Sequence, residues 1–305
     1  MTPDGRCVIT MGVFDGVHRG HQALLRRARE IADAHGLPLV VLTFDPHPAT
    51  VLRPESTPPR LMSLSRRLEL LHAHGADQVE VVPFDTAVSQ MTDEEFAREY
   101  FTRRNHAAAV VVGENLRFGR EAAGDVARLK ELGTRLGFEG VGVELSRDGV
   151  PWSSTRVRAA IDAGDMGTAR TILGRDPEME GTVITGDRRG RELGYPTANV
   201  DPDPGLALPT AGIYAGHLVV DDRRLPSAIS VGTNPQFEGR ELRIEAYVLD
   251  RDDLDLYGGR VRLEFRERLR DQAVFPTLQD YLEQMARDVA NVRITLTDAR
   301  GSTPI

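Results

Sequence analysis

The feature that most restricts the fold of this chain is a largely apolar run that leads through a glycine-rich segment into a helical pattern. Residues 7–11 form the run, residues 11–21 read MGVFDGVHRGH, and the apolar side chains of residues 22–35 recur at helical spacing. This order predicts a strand, a turn and a helix. In open α/β sheets, ligands bind beyond the carboxyl ends of the strands, where the N–H groups of a helix start attract anions.

The predicted helix start carries a pair of imidazoles. His18 and His21 are three residues apart, so both rings fall on one face of the first turn and can donate hydrogen bonds to phosphate oxygens. Gly12, Gly16 and Gly20 let the backbone approach a ligand closely. Chance surface histidines are the alternative interpretation, but the flanking strand and helix favour a phosphate site. A zinc site is excluded because the chain has one cysteine and no further ligand at a suitable spacing.

Apolar runs and helical patterns alternate through the rest of the first half. The further strands are predicted over residues 39–44, 78–83, 107–112 and 140–145. The further helices are predicted over residues 63–74, 92–101 and 124–136. The resulting βαβαβ order predicts an α/β domain with a doubly wound parallel sheet, rather than an all-β fold or a helical bundle.

A second helix start is predicted where residues 152–158 read WSSTRVR, ahead of a helical pattern over residues 159–173 that is interrupted at Gly164 and Asp165. Simple helix capping, which stabilises a helix by only about 1 kcal/mol, is the alternative role of these hydroxyl groups. Beside the histidine motif, the segment is interpreted as the other half of a triphosphate site. The polar residues assigned to it are Ser153, Ser154, Thr155 and Arg156.

The pattern changes near residue 176, after which short β-rich runs are separated by glycine and proline. These runs cover residues 181–185, 212–220, 227–231, 242–249 and 260–265. Their spacing predicts a small antiparallel β-barrel. An amphipathic helix is predicted over residues 278–289 and a frayed tail after Leu296. We therefore expect two domains, residues 1–176 and residues 177–305.

A second glycine-rich segment begins the barrel, since residues 181–199 read GTVITGDRRGRELGYPTAN. Loops of this kind can surround phosphate, which makes Gly181 and Gly186 candidates for nucleotide contact. The Thr197 hydroxyl and the Asn199 carbonyl are hard oxygen ligands suited to Mg²⁺. The segment lacks the Gly-Lys-Ser/Thr ending of a Walker A loop. A turn-rich barrel hairpin without a ligand is the alternative.

Composition excludes several classes of protein. The net charge of −8 argues against non-specific nucleic-acid binding, so we expect no nucleic-acid partner. No apolar run approaches the roughly 20 residues that span a bilayer, and the first residues do not form a signal peptide. A single cysteine rules out an internal disulfide. The sequence thus predicts a cytoplasmic protein without a membrane partner, present as a monomer or weak homo-oligomer.

Taken in order, the motifs resemble those of the bacterial bifunctional riboflavin kinase/FMN adenylyltransferase (FAD synthetase) family. The resemblance covers residues 8–289. In the first half it rests on residues 12–21, on TFDPHP at 43–48, on GEN and FG within 113–119, and on SSTR at 153–156. In the second half it rests on GYPTAN at 194–199, GIY at 212–214, VGTNP at 231–235, IE at 244–245 and LYG at 256–258.

The resemblance implies a nucleotidylyltransferase domain followed by a riboflavin kinase barrel. It implies two reactions with Mg²⁺ and ATP, in which riboflavin becomes FMN and FMN becomes FAD. By similarity, His18 and His21 are catalytic for adenylyl transfer, and Glu245 is the base that deprotonates the ribityl 5′-hydroxyl. Nucleotide or phosphate contacts are assigned to Gly12, Phe14, Asp15, Gly16, Ser153, Ser154, Thr155, Arg156, Gly181, Gly186, Thr197 and Asn199, of which the last two would hold Mg²⁺. Flavin contacts are assigned to Phe44, Asp45, Pro46, Asn115, Phe118 and Arg270.

The sequence departs from the family pattern at two places. Leu116 stands where the family usually has an aromatic residue, and Ala246-Tyr247 replaces a common Val-His after the glutamate. Two other functions are considered: a transferase with one degenerate domain, and a flavin-sensing protein without catalysis. For Glu245 itself, the alternative is an ordinary solvated carboxylate on a strand.

Overall fold

The computed structural model describes residues 5–145, 152–186, 194–232 and 243–298. The chain forms two compact units. The first comprises Met1–Pro58 with Leu64–Ser153, and the second comprises Pro59–Ser63 with Ser154–Ile305. Over the described residues, no helix has both the length and the apolar character needed to cross a membrane.

The first unit is built on a five-stranded parallel sheet in the order β3-β2-β1-β4-β5. The strands are β1 (Cys7–Met11), β2 (Leu39–Asp45), β3 (Gln78–Pro83), β4 (Ala107–Gly113) and β5 (Glu139–Val143). The helices are α1 (Arg19–His35), α2 (Pro48–Leu52), α3 (Leu64–Ala73), α4 (Thr86–Gln90), α5 (Asp93–Phe96, continued by a π-helical segment, Ala97–Arg103) and α6 (Val126–Leu136). This confirms the predicted doubly wound parallel sheet.

The central strands form because their residues are apolar almost without interruption. Every residue of β1 and all but the last residue of β2 are buried. On one face, the sheet packs against an aromatic cluster that includes Phe96, Phe101 and Phe138. The chain order reverses between β1 and β4, so the loops that follow these strands flank the crevice where open sheets bind ligands.

Capping residues decide where two of these helices begin. Thr92 and Glu95 form the reciprocal hydrogen bonds of a capping box at the start of α5. Helix α1 starts at Arg19, three residues earlier than predicted, because the His18 side chain is its N-cap. The H-x-G-H motif therefore lies within the cap and first turn of the helix, where the sequence analysis places the two imidazoles.

The second unit is a closed barrel in the order β10-β7-β6-β11-β8-β9, preceded by two helices and followed by one. The strands are β6 (Glu178–Ile184), β7 (Thr197–Pro202), β8 (Gly212–Val220), β9 (Arg223–Gly232), β10 (Arg243–Val248) and β11 (Arg260–Arg270). The helices are α7 (Ser154–Asp162), α8 (Met166–Leu173) and α9 (Leu278–Asp298). All the strand pairs are antiparallel, which confirms the predicted barrel.

The structure corrects two predicted elements of this unit. The sequence pattern does not indicate strand β7, whose first three residues end the predicted glycine-rich segment. Helix α9 runs past its predicted end and past the predicted start of the frayed tail, since Val292 and Leu296 are buried against Ala215 and Leu249 of the barrel. In β10, half-buried and buried side chains alternate from Arg243 to Val248, and Leu242, the first residue of the predicted run, lies outside the described residues.

Helix α8 contributes to the core of the barrel. Met166 is 1% exposed and packs in one cluster with Met179, Val183 and Leu263. We therefore expect a fragment starting at Ser154 to be more stable than one starting at Pro177, because removal of a buried methionine side chain usually costs about 2–5 kcal/mol. Thermal unfolding of both fragments tests this, and a melting temperature at least about 4 °C higher is expected for the longer one. Equal melting temperatures would show that α7 and α8 add nothing to the barrel.

Candidate active sites

The histidine pair is held by the local structure of the α1 start. The Nδ1 atom of His18 accepts a hydrogen bond from the backbone N–H of His21 at 3.3 Å. The two rings stack with centroids 3.6 Å apart and an interplanar angle of 16°. Both imidazoles therefore lie at the positive end of the helix dipole, where an anion is attracted.

His21 is the more strongly perturbed of the two rings. Burial lowers its pKa well below the ordinary value of 6.5, and the neighbouring His18 lowers it further. Among the described residues, the buried Nδ1 atom of His21 has no hydrogen-bond partner. A neutral imidazole with an unsatisfied buried nitrogen can donate to a phosphate oxygen, and such a contact removes the cost of leaving that atom unpaired.

The turn before the histidines is strained. Phe14 has a φ of 55° and Val17 a φ of 38°. Residues other than glycine rarely adopt a positive φ, and β-branched residues such as valine do so least often. Both side chains are fully buried, and the Phe14 ring packs edge-on against His21 with centroids 5.1 Å apart. A Cβ atom at Gly12 would lie 3.3 Å from the Phe14 ring. Strained backbone of this kind is held only where surrounding contacts fix it, and it concentrates at functional sites.

The end of β2 is tied to this turn by a residue that the sequence analysis missed. Arg67, on α3, is 6% exposed and donates hydrogen bonds to the backbone carbonyls of Val13 at 2.9 Å and Phe44 at 3.0 Å. Its guanidinium lies 3.6 Å from the Asp45 carboxylate. The Thr43 hydroxyl also donates to the Val13 carbonyl, at 3.1 Å. No spacing or motif distinguishes Arg67 from the other arginines of the chain.

The residues predicted to contact flavin fall in different environments. Phe44 is buried at the end of β2 and is followed by Asp45 and Pro46, which are joined by a cis peptide bond. Asn115 is exposed on the loop after β4. The Phe118 ring lies in the aromatic core cluster and is 7% exposed. The flavin contact of Phe118 stays a prediction, and the structure gives its ring a packing role.

The predicted triphosphate residues are divided between the two units. Ser153 belongs to the first unit, where the neighbouring Trp152 ring lies 5.9 Å from the Arg19 guanidinium. A Cβ atom at Gly20 would lie 3.1 Å from the His18 ring and 3.6 Å from the Trp152 carbonyl oxygen. Glycine at this position therefore lets the segment before Ser153 approach the helix start. The others, Ser154, Thr155 and Arg156, form the first turn of α7 in the second unit.

A second site is formed by neighbouring barrel strands. Glu245 on β10 lies opposite Asn199 on β7 and opposite Ser230 on β9. The Thr197 hydroxyl donates a hydrogen bond to the Glu245 carboxylate at 3.1 Å. Because side chains alternate along a strand, Thr197 and Asn199 face the same side as Glu245. Four oxygen-bearing side chains, those of Glu245, Thr197, Asn199 and Ser230, therefore lie on one face of these strands.

The glycines of this segment allow close approach. A Cβ atom at Gly186 would collide with the Asn199 amide group, so the absence of a side chain there leaves room for it. Gly181 lies on β6, where a Cβ atom would collide with the Asp201 carbonyl oxygen, which indicates a packing role. The remainder of the predicted phosphate loop, residues 187–193, lies outside the described residues, as do residues 233–235 of the VGTNP motif.

Two cavities share Thr197. One of about 740 Å³ is lined by Glu245, Ser230 and Tyr247 together with residues of α9 and the segment before it. The other, of about 670 Å³, lies on the opposite side of Thr197 and is lined by Ala198, Ala246, Leu254 and Tyr257 among others. Both cavities are open to solvent. The shared wall places the Thr197–Glu245 hydrogen bond between the two cavities.

Helix α9 supplies a wall of the larger cavity, which sequence analysis did not foresee. Arg270 is held by Asp288, whose carboxylate accepts from the guanidinium at 2.6–3.1 Å. Burial raises the pKa of Tyr281, and the charge of Glu245 raises it further. The lining residues that were not predicted include Tyr247, Gln272, Phe275, Tyr281 and Asp288. The helical pattern predicts α9 but not which of its side chains face a ligand.

Comparisons with known proteins agree with a chain of two different domains. The chain matches the family model described as FAD synthetase over residues 1–156 and the model described as riboflavin kinase over residues 173–296. The bifunctional riboflavin kinase/FMN adenylyltransferase of Escherichia coli strain K12 is 33% identical over 293 residues, which cover 95% of this chain and 93% of that one. The protein of the same description from Pseudomonas fluorescens is 33% identical and covers 96% and 94%.

A solved structure shares the fold. A crystal structure from Streptococcus pneumoniae, described as a macrolide-efflux protein, is 30% identical, has a TM-score of 0.86 and covers 96% of this chain and 95% of its own. The likeness therefore extends over nearly the whole chain, as the sequence similarity does. With both domain models matched, and with relatives of this identity over nearly their full length, the chain belongs to the bifunctional riboflavin kinase/FMN adenylyltransferase family.

Proposed function

We propose that this chain phosphorylates riboflavin to FMN in the barrel and adenylylates FMN to FAD in the parallel-sheet domain, with ATP as the co-substrate of both steps. The observation that supports the kinase step best is the Thr197–Glu245 hydrogen bond between two cavities. The stacked histidine pair at the start of α1 supports the adenylyl transfer. Residues 1–176 are proposed to carry the second activity and residues 177–305 the first. A cytoplasmic location stays a prediction.

In the kinase step, Glu245 acts as the general base. Its carboxylate takes the proton of the ribityl 5′-hydroxyl as that oxygen forms a bond to the γ-phosphorus of ATP, and the bond to the ADP oxygen breaks. The Thr197 hydroxyl, which donates to Glu245, orients the carboxylate for this transfer. Riboflavin is assigned to the larger cavity, where Arg270 is positioned by Asp288, and ATP to the smaller one.

Thr197 and Asn199 fit a role in holding Mg²⁺ with ATP. Both offer neutral oxygen atoms on the face that carries Glu245, and the missing side chain of Gly186 leaves space beside the Asn199 amide. When bound, the metal ion supplies positive charge to the phosphate oxygens. The nearby Gly181 and Gly186 are assigned to the nucleotide side of the same site.

In the adenylyl transfer, a phosphate oxygen of FMN attacks the α-phosphorus of ATP and pyrophosphate leaves. His18 and His21 donate hydrogen bonds to the phosphate oxygens where negative charge develops. The backbone of Gly12, Phe14, Asp15 and Gly16 lines the same turn. Ser153, Ser154, Thr155 and Arg156 are proposed to hold the departing pyrophosphate. FMN is assigned to Phe44, Asp45, Pro46, Asn115 and Phe118, near the ends of β2 and β4.

A direct assay tests the proposed function. Purified protein is incubated with riboflavin, ATP and Mg²⁺, and the flavins are separated chromatographically over time. We expect FMN to appear first and FAD to follow, and supplied FMN to yield FAD without riboflavin. Formation of FMN but no FAD from either substrate would leave a kinase with a degenerate first domain. No turnover of any flavin would instead favour a flavin-sensing protein.

Both reactions should depend on a divalent cation. The triphosphate of ATP is highly charged, and no acidic metal site is predicted in the first domain. We therefore expect Mg²⁺ to arrive bound to the nucleotide and to keep several of its waters. Chelation should abolish FMN and FAD formation, and added Mg²⁺ should restore both. Full adenylyl transfer after exhaustive chelation would contradict the Mg-ATP mechanism.

A further inference from the structure

Arg67 is a buried cation placed directly beneath the adenylyltransferase site. It is 6% exposed, yet it lies in the first turns of a helix whose neighbouring Arg66 pairs with an exposed glutamate. Its guanidinium spans two loops, because it donates to Val13 in the segment after β1 and to Phe44 near the end of β2. Asp45, the last residue of β2, lies 3.6 Å away.

Packing alone does not account for this residue. Burying a guanidinium removes it from water at a considerable cost, and an apolar side chain of similar volume usually fills such a position without loss of stability. The bonds that Arg67 makes are directional. The planar guanidinium group can donate to two carbonyl groups at once, whereas the ammonium group of a lysine is a single point charge.

The Val13 carbonyl connects Arg67 to the histidine pair of the first site. Val13 immediately precedes the strained turn at Phe14 and Val17, which leads into the cap residue His18. Two donors, Arg67 and the Thr43 hydroxyl, fix that carbonyl. We propose that Arg67 is a positioning residue for adenylyl transfer, which holds the histidine turn and the flavin-side end of β2 in one geometry. The inference rests on the function proposed for the first domain.

The opposite edge of the same sheet offers a matched control. Arg29 donates to the backbone carbonyls of Leu37 at 3.0 Å and Gly75 at 3.5 Å, and pairs with Asp77 at 2.5 Å. Leu37 and Gly75 lie just before β2 and β3, at the amino ends of the strands. Arg29 thus resembles Arg67 in bonding to two carbonyls and an aspartate, with Asp33 as a further partner at 2.9 Å and a more exposed side chain, but at the edge where no ligand is expected.

The experiment compares Arg67→Lys with Arg29→Lys in the full-length chain. For each variant, kcat and KM of FAD synthesis are measured for ATP and FMN, with riboflavin phosphorylation as an internal control and urea unfolding as a measure of stability. We expect Arg67→Lys to lower kcat of FAD synthesis by about tenfold or more, since small displacements of reacting groups are costly. Arg29→Lys should leave that kcat within about twofold, and both should retain kinase activity.

Each outcome bears on the proposal. Equal kcat values in the two lysine variants, with similar losses of stability, would show that Arg67 is structural only. If Arg67→Lys does not fold, Thr43→Val serves instead, because it removes the second donor to the Val13 carbonyl with little change in shape. An unchanged kcat in Thr43→Val would overturn the inference. Failure of the proposed function is distinguishable, because the wild-type chain would then make no FAD at all.

Discussion

Replacing Glu245 with glutamine is expected to lower riboflavin phosphorylation by about 10²–10⁴-fold, while supplied FMN is still converted to FAD. A primary alcohol is a poor nucleophile at neutral pH, so a carboxylate that accepts its proton contributes a factor of this size. Glutamine keeps the shape of the side chain and can still bond to Thr197, which is 3.1 Å from the carboxylate. The loss should therefore fall mainly on kcat, with KM for riboflavin and ATP nearly unchanged.

Two controls make this result specific. Glu267→Gln changes an exposed carboxylate on β11 that lines neither cavity, and it should leave kinase activity within about twofold of wild type. FAD synthesis from FMN, measured on the Glu245→Gln variant itself, reports on the other domain. Near-normal FMN formation by Glu245→Gln would assign the base to another residue.

Substituting alanine for His21 should reduce FAD synthesis from FMN by about 10²-fold or more and leave riboflavin phosphorylation intact. The ring is half-buried, with its Nδ1 atom fully buried, and it is stacked on His18 before substrate arrives, so its donor needs little reorganisation when charge develops on the phosphate. His35→Ala provides the control, because His35 is exposed in the last turn of the same helix. Unchanged FAD synthesis in His21→Ala would remove the central assignment of the first site.

The lowered pKa of His21 gives the same variant a second measurable property. In the absence of nucleotide, the unfolded chain binds a proton at His21 below about pH 6.5, whereas the folded chain, whose pKa lies well below that value, does not. Proton binding therefore favours the unfolded state, and stability should fall as the pH is lowered from about 6.5 towards the lowered pKa. In His21→Ala, this part of the pH dependence of unfolding should disappear. An identical slope in both proteins would show that the ring protonates freely in the fold.

Local sequence patterns were sufficient for the overall architecture and for a set of candidate site residues. The central strands of the first unit are apolar because both of their faces are buried, and the side chains of β10 alternate because one face is buried. Both patterns can be read from residues that are neighbours in the chain. The histidine motif was recognisable because its strand, turn and helix are contiguous. Thr197 and Asn199, which the resemblance assigns to Mg-ATP, were recognisable because they belong to one contiguous motif.

Only the tertiary structure decided how these residues meet. Asn199 faces Glu245 because β7 and β10 pair when the barrel closes, a register that no local pattern encodes. Tyr281 and Asp288 reach the larger cavity of the barrel because α9 packs on the barrel, and Arg67 reaches Val13 because α3 lies beside the ends of β1 and β2. Periodicity tells which face of an element is buried, but the partner of each buried group depends on contacts between distant segments. For this chain, the sequence by itself therefore determined most of the elements and the candidate chemical groups, and long-range packing determined strand β7, the extent of α9 and the geometry of both candidate sites.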